Sequence, residues 1–137
     1  MNLDPNAFVA DPDLVQALEA HAKPLSCSEG RVLFRQGEPS NGIYILDRGD
    51  VTLTMVSLTG SELMSVEAYP CSVLGIPGTI GNSPYTLTAV AKPGAVVRFL
   101  SREEFSTLMT SNPALSLKIL QVLAAEVRTA RQALLDH

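Results

Sequence analysis

The middle of the chain alternates short apolar runs with clusters of turn-forming residues, and this pattern constrains the fold more than any other sequence feature. The runs are rich in Val, Ile, Leu, Tyr and Thr, and the clusters between them contain Gly, Pro, Asn, Asp and Ser. Val51, Leu53 and Met55 alternate with two threonines, as in a strand with one solvated face. The pattern predicts an all-β sandwich, roll or barrel of hairpins. The runs are RVLFRQG, GIYILDRG, DVTLTMVSL, SELMSVEAY, TLTAVA and AVVRFL.

Helical patterns flank this β-segment on both sides. Asp11 is a candidate N-cap followed by Pro12 at the first helical position. Ser101 has Glu104 three residues later, which is a capping-box pattern. A length of 137 residues with 46% hydrophobic residues suits one domain with one core. The prediction is a single domain over 1–137, with an N-terminal helix at 11–24, a β-segment at 27–100 and C-terminal helices at 101–137.

The last helical segment has no internal Gly or Pro and carries an apolar seam at alternating intervals of three and four residues. Such a seam can pack on the β-domain alone. A second apolar flank lets one side of the helix face the domain and the other face a partner helix, so we predict a parallel homodimer. The seam residues are Leu120, Leu123, Val127, Ala130 and Leu134. The second flank consists of Leu117, Ile119, Val122 and Leu135.

Charge and composition argue against several classes of function. The formal net charge is −4 and the ten Lys and Arg residues are scattered, which argues against a nucleic-acid-binding surface. The N-terminal segment lacks the pattern of a secretory signal, and no apolar run approaches membrane-spanning length. We therefore expect a cytoplasmic chain that by itself binds neither DNA nor a membrane. Cys27 and Cys71 are expected to be free thiols.

The polar residues of the sequence show no pattern typical of catalysis or of metal binding. No nucleophile with a base, and no pair of carboxylates, stands at a motif spacing, so we expect no enzyme activity. His21, Cys27 and Cys71 lack the spacing of metal ligands, so neither a metal nor a haem site is expected.

One segment, LFRQGEPSNGIYILDRGDVTL, resembles the cyclic-nucleotide-binding domain of the catabolite activator and fumarate–nitrate regulator (CRP/FNR) superfamily. The glycines, the apolar-tyrosine strand and the following valine fall where that family pattern has them. A later segment, LSREEFSTLMTSNP, resembles the family segment that leads into the dimerisation helix. The matching residues of the first segment are Gly37, Tyr44, Ile45, Gly49 and Val51.

This resemblance implies a mainly β fold with flanking helices. The expected architecture is a β-roll, also described as a double-stranded β-helix or jelly roll, followed by a long C-terminal dimerisation helix. The implied function is regulatory, in signal transduction or transcription. Family transcription factors add a helix-turn-helix domain after that helix, and these 137 residues contain no such pattern. The chain is either the sensor half of a longer regulator or a stand-alone domain.

The stretch VLGIPGTIGNSPYTLTAVA lies where the family has its phosphate-binding cassette, and it contains no charged residue. In members that bind cyclic AMP, an Arg-Ser/Thr-Ala motif meets the cyclic phosphate. Tyr85, Thr86 and Leu87 take those three positions here. A tyrosine hydroxyl offers one neutral donor where arginine offers a charged, bidentate contact.

Two further contacts of the cyclic-AMP-binding pattern are also replaced. The family's Gly-Glu pair, whose carboxylate holds the ribose, corresponds to Leu74-Gly75 or to Gly75-Ile76. On the last helix, Ala130 and Arg131 stand where a Thr-Ser pair reads adenine. Binding of a cyclic nucleotide in the usual manner is therefore not expected.

Three interpretations of the cassette stay open. It is an altered effector pocket for a small molecule, or it is a degenerate pocket closed by Ile76, Ile80 and Leu87 in a ligand-free dimerisation or protein-interaction module. In the third interpretation, cyclic nucleotide still binds through backbone groups and Thr86. The candidate ligand-binding residues are Gly75, Ile76, Gly78, Gly81, Asn82, Tyr85, Thr86 and Thr88.

Overall fold

Eight strands form two four-stranded antiparallel sheets in the computed structural model, which describes residues 5–135. The strands are β1 (Lys23–Leu25), β2 (Arg31–Phe34), β3 (Gly42–Arg48), β4 (Val51–Val56), β5 (Glu62–Ala68), β6 (Val73–Leu74), β7 (Thr88–Ala91) and β8 (Val96–Ser101). The helices are α1 (Pro12–Glu19), α2 (Ile76–Gly81), α3 (Arg102–Ser111) and α4 (Pro113–Leu135), with a 3-10 turn at Pro5–Phe8. The predicted mainly β fold with flanking helices is confirmed.

The two sheets have the strand orders β1-β8-β3-β6 and β2-β7-β4-β5. Strand β3 shows how the alternation of side chains builds two cores. Tyr44 and Leu46 join the apolar cluster between the sheets, whereas Ile43 and Ile45 join a second cluster with α1, α3 and α4. Because successive side chains of a strand point to opposite faces, a strand that is apolar at every position must be covered on both sides.

The N-terminal helix is shorter than the predicted 11–24. Helix α1 ends at Glu19, and residues 23–25 form β1, which pairs with β8 at the edge of its sheet. Pro24 disfavours a helical conformation at the preceding residue and is tolerated in an edge strand, which explains the difference. The β-domain therefore begins a few residues before residue 27.

The cassette stretch, for which the sequence pattern indicates no helix, contains the short helix α2. Gly75 precedes α2 with a φ of 89°, and Asn82 ends it with a φ of 51°. Left-handed backbone at the residue after a helix is a common stop, and proline in the first turn suits a helix start. The three glycines of the stretch weaken helix propensity, so the sequence pattern alone did not indicate this turn of helix.

The C-terminal helices begin as the sequence predicts. The Ser101 hydroxyl accepts a hydrogen bond of 3.2 Å from the Glu104 amide, so Ser101 is confirmed as the N-cap. The Glu104 carboxylate accepts from the Ser101 hydroxyl and not from the Ser101 backbone amide, as it would in a complete capping box. Helix α4 packs against α3, β5 and the 3-10 turn. Its buried stripe, at intervals of four, three and four, consists of Leu115, Ile119, Val122 and Glu126.

Three further findings concern the cysteines, membrane spans and metal sites. Cys27 and Cys71 are both free, as predicted. Among the helices described between residues 5 and 135, none combines the length and the apolar character that crossing a membrane requires. Within the same residues, no three His, Cys, Asp or Glu side chains lie together as a metal site would require.

Candidate effector site

Tyr85, which is predicted to take the arginine position of the family cassette, is buried in the core. Its side chain is 3% exposed, and its ring stacks on Phe34 with the ring centroids 4.1 Å apart. The hydroxyl donates to the Gly42 carbonyl at 2.8 Å and accepts from the Asn41 amide at 3.0 Å. Because the hydroxyl is bonded as both donor and acceptor, it has no donor left for a ligand.

The positions that correspond to the family's glutamate do not accept a carboxylate readily. A Cβ on Gly75 would lie 3.0 Å from the Tyr85 ring, and the positive φ of Gly75 is strained for any other residue. In the alternative register the position is Ile76, which is fully buried in the cluster beneath the helices. Packing therefore disfavours a carboxylate side chain at either of the two positions.

The space next to Tyr85 is almost filled. It is a cavity of about 10 Å³ between the cassette, the core and Glu126. That volume is close to the minimum that one water molecule needs, whereas small-molecule pockets occupy several hundred cubic ångströms.

The other predicted site residues serve mostly as internal contacts. The Thr88 hydroxyl accepts from the Gln36 amide at 2.9 Å, and the Gly78 carbonyl accepts from the Ser40 hydroxyl at 2.9 Å. Gly81 is exposed. Thr86 is exposed too and borders the small cavity, and no partner within the described residues bonds its hydroxyl.

Arg102, at the start of α3, is a cassette contact that the sequence analysis did not identify. Its guanidinium donates to the Asn82 side-chain oxygen at 2.6 Å and to the carbonyl and hydroxyl of Ser40. Through these bonds α3 holds the end of α2 against the segment before β3. The residue lies inside the capping-box pattern, where a charged side chain is ordinarily assigned to solvent.

Glu126 is the second residue that the sequence analysis missed. Its side chain is 5% exposed on the buried face of α4, and its Oε1 atom has no hydrogen-bond partner among the described residues. Burial raises the pKa of this carboxyl well above its usual range. The four-three-four spacing of the α4 stripe was the signal available in the sequence.

A larger cavity of about 330 Å³ lies on the other side of Glu126, between α4 and the β-roll. Most of the surface that lines it is apolar, and the exposed Arg131 is one of the lining residues. The residues that line it include Met55, Met64, Thr86, Leu87, Glu126 and Ala130. Among the predicted ligand-binding residues, Thr86 alone borders this cavity, so the structure does not gather the full predicted set around it.

The predicted seam residues lie on two sides of α4. Leu120, Val127 and Leu134 are 53%, 53% and 57% exposed. Leu123 and Ala130 are half-buried, because each packs against a core cluster of the domain. The exposed apolar stripe of α4 is Leu117, Leu120, Ala124, Val127 and Leu134.

Two opposed sheets, a cassette turn and a long covering helix make up the structure, and the sequence provides an independent comparison. The model of the cyclic nucleotide-binding domain family matches residues 24–112, which is well over half of the chain. The chain belongs to the cyclic nucleotide-binding domain family. Within that family it is a CRP/FNR-type domain, and the predicted resemblance is confirmed.

Two relatives are transcription regulators by name. The "CRP-like cAMP-activated global transcriptional regulator" of Mycobacterium tuberculosis is 24% identical over 126 residues, which cover 92% of this chain and 56% of that protein. The "Transcriptional activator protein anr" of Pseudomonas aeruginosa is 24% identical over 127 residues, which cover 93% of this chain and 51% of that protein. The chain thus spans about half the length of the relatives it matches.

Solved structures agree with the fold. The catabolite activator protein of Thermus thermophilus superposes with a TM-score of 0.75 at 22% identity, covering 96% of this chain and 62% of that one. The sensor domain of the transcriptional regulator DNR from Pseudomonas aeruginosa has a TM-score of 0.63 at 25% identity, covering 89% of this chain and 82% of that one.

Proposed function

We propose that this chain is a dimeric, ligand-sensing regulatory domain of a CRP/FNR-type regulator, whose effector is not a cyclic nucleotide bound in the usual manner. It acts without enzyme activity of its own and controls a separate output module or partner. The observation that carries the proposal is the position of Tyr85, which is buried and fully hydrogen-bonded where the family's arginine meets the phosphate.

The cost of losing the charged contact supports this view. A phosphate that enters the site must give up water, and removing one partner of a buried charged pair typically costs ~2–5 kcal/mol. A loss of this size moves a micromolar ligand toward the millimolar range. No Lys or Arg within the cassette stretch compensates, and Arg102 already bonds Ser40 and Asn82.

Dimerisation through α4 is the second part of the proposal. A stripe of large apolar side chains at heptad-like spacing is exposed on the face opposite the buried stripe. In a parallel pair each residue of the stripe meets its symmetry mate, and Ala124 permits close approach of the two helices. The partly buried Leu123 and Ala130 then contact the domain and the edge of the interface.

The competing proposal is a ligand-free dimerisation or protein-interaction module. The cavity of about 10 Å³ beside Tyr85 favours it, because the space next to the predicted arginine position has no room for an effector. The unpartnered Glu126 and the adjoining cavity of about 330 Å³ favour the sensing domain, because a module with no ligand gains nothing from an unsatisfied buried carboxyl. In both cases we propose that these 137 residues do not bind DNA by themselves, because their net charge is acidic.

A thermal-shift screen separates the two proposals. A ligand that binds the folded state alone raises the melting temperature by mass action. Nucleotides, amino acids, organic acids, aromatic metabolites and haem form the screen, and each hit is titrated against wild type and Leu87→Trp, which fills the larger cavity. The sensing domain predicts at least one hit that Leu87→Trp removes. The absence of any hit, in a protein that still sediments as a dimer, would instead support the ligand-free module.

A further inference from the structure

The buried position of Glu126 is unfavourable for the stability of the fold. Along the buried stripe of α4 the neighbouring positions are Ile119 and Val122, which pack into the core beneath the helices. A carboxyl at the next buried position must shed its water, and its Oε1 atom gains no hydrogen bond among the described residues in return. An apolar residue would complete the stripe at lower cost, so the carboxyl needs another explanation.

The carboxyl borders open space on two sides. It lines the small cavity beside Tyr85 and also the cavity of about 330 Å³ between α4 and the β-roll. The larger cavity has the volume of a small-molecule pocket, and its apolar walls include the side chains of Met55, Met64 and Leu87. Methionine side chains adapt their shape to an apolar ligand.

The charges around this space restrict the ligand. Arg131, one turn and a residue further along α4, is an exposed lining residue, and the exposed Thr86 contributes a hydroxyl. Among the described residues that line the cavity, Glu126 and Arg131 are the titratable or charged ones. The buried part of the lining therefore offers one carboxyl and otherwise apolar side chains.

We propose that this cavity binds a compact, mainly apolar, uncharged molecule that donates one hydrogen bond to the Glu126 carboxyl. Phenols and indoles have this chemistry. The inference rests on the proposed sensing function and names its effector class. A bound donor satisfies the orphan oxygen, and the apolar body of the ligand covers the methionine wall.

A partner's helix is the other occupant to consider, because Val127 and Leu134 border the same opening and belong to the exposed stripe. An apolar side chain inserted from a second copy would fill the volume and leave Glu126 unpaired. A small donor fills the volume and also pairs the carboxyl, so the small molecule accounts for both observations.

The test uses a matched pair of probes, indole and benzofuran. The two rings have nearly the same shape, and indole has an N–H donor where benzofuran has an ether oxygen. Binding to the full chain is measured by NMR chemical-shift titration for wild type, Glu126→Gln and Glu126→Met. We expect indole to bind wild type about tenfold more tightly than benzofuran, since a hydrogen bond to a buried group has that value. Glu126→Gln keeps an acceptor and keeps the preference, whereas Glu126→Met abolishes it.

Several results would overturn the inference. They are equal affinity of wild type for both probes, no binding of either probe, and a preference for indole that survives in Glu126→Met. Binding restricted to a Leu117→Glu, Leu120→Glu variant, whose changes lie on the exposed stripe outside the cavity lining, would also overturn it, since a partner helix would then occupy the cavity. If the probes fail while another class of compound raises the melting temperature of wild type, the sensing function stands and the assigned effector class is wrong.

Discussion

Tyr85 and Glu126 border the same small cavity, and both are polar side chains that the fold has buried. They differ in their partners. The Tyr85 hydroxyl donates to one backbone group and accepts from another, whereas the Glu126 Oε1 atom has no partner among the described residues. Buried polar groups are nearly always satisfied, so the first is what a structural residue does and the second is an exception that calls for a function. The comparison moves the candidate binding surface from the cassette to the helix that covers it.

The largest effect is expected from the exposed face of α4. Leu120→Glu with Val127→Glu places two carboxylates on each helix of the predicted dimer seam, where they face their symmetry mates. We expect sedimentation of a monomer, because like charges that meet in an apolar seam cannot be solvated there. The control, Leu58→Glu with Thr107→Glu, adds the same charge at exposed positions away from α4 and should leave the dimer intact. A dimer that persists in the seam variant would place the interface elsewhere.

The next effect is on Tyr85, the bonded member of the comparison. Tyr85→Ala should lower the free energy of unfolding by ~3–5 kcal/mol, because it removes a buried ring and leaves a cavity. Tyr85→Phe should cost ~1–3 kcal/mol, since the Gly42 carbonyl and the Asn41 amide lose their partner. Urea denaturation measures both, with the exposed Tyr69→Ala as the matched control, expected within ~0.5 kcal/mol of wild type. A Tyr85→Phe variant as stable as wild type would show that the hydrogen bonds of the hydroxyl do not stabilise the fold.

Replacing Glu126, whose Oε1 atom has no hydrogen-bond partner among the described residues, should raise the free energy of unfolding. Glu126→Met has similar volume and no need for a hydrogen bond, so we expect it to raise the free energy of unfolding by ~1–3 kcal/mol. Because the pKa of Glu126 is raised in the fold, rising pH penalises the wild type, and the advantage of the methionine variant should grow with pH. Gln121→Met on the exposed face of α4 is the control. A loss of stability in Glu126→Met would mean that the carboxyl has a structural role.

A carboxyl at the end of α1 gives the smallest effect and a reference for the pH argument. Interaction with the neighbouring Asp47 carboxyl, and then burial, raise the pKa of Glu19 from 4.5 to about 7. Between those two values the folded state holds more protons than the unfolded state, so this group's contribution to stability falls as pH rises from 4.5 to about 7. Glu19→Gln should flatten that part of the stability profile by less than about 1 kcal/mol, because the site is largely solvent-screened. Glu29→Gln, at an exposed position, should leave the profile unchanged. An unaltered slope in Glu19→Gln would remove Glu19 as its source.

The sequence predicted those features that depend on local pattern. Alternation in Val51 to Met55, the N-cap at Ser101 and the uninterrupted last helix each follow from neighbouring residues, and the structure contains all three. The predicted seam of that helix is divided between an exposed and a half-buried side. The strand of Lys23 to Leu25 and the turn of helix in the cassette were missed, because edge pairing in the first case and tertiary packing in the second override weak local propensity.

The candidate site was less predictable, because it depends on contacts between distant parts of the chain. The direction of the Tyr85 side chain is decided by Phe34 and by the Gly42 backbone, both more than 40 residues away. Glu126 is a charged residue on a helix, which sequence reasoning assigns to solvent, although its spacing from Ile119 and Val122 places it on the buried face. The sequence alone predicted which cassette residues are replaced. The fold was needed to show that the Glu126 carboxyl is buried and that its Oε1 atom has no partner among the described residues.

Calorimetric titration with cyclic AMP and cyclic GMP tests the central claim most directly. The claim is that the cassette has no working reader for a cyclic phosphate, so the account predicts no saturable binding below about 1 mM for wild type or for Thr86→Val. A dissociation constant in the low micromolar range for wild type, abolished by Thr86→Val, would contradict it. That result would show that backbone groups and one hydroxyl suffice to hold the nucleotide without the arginine.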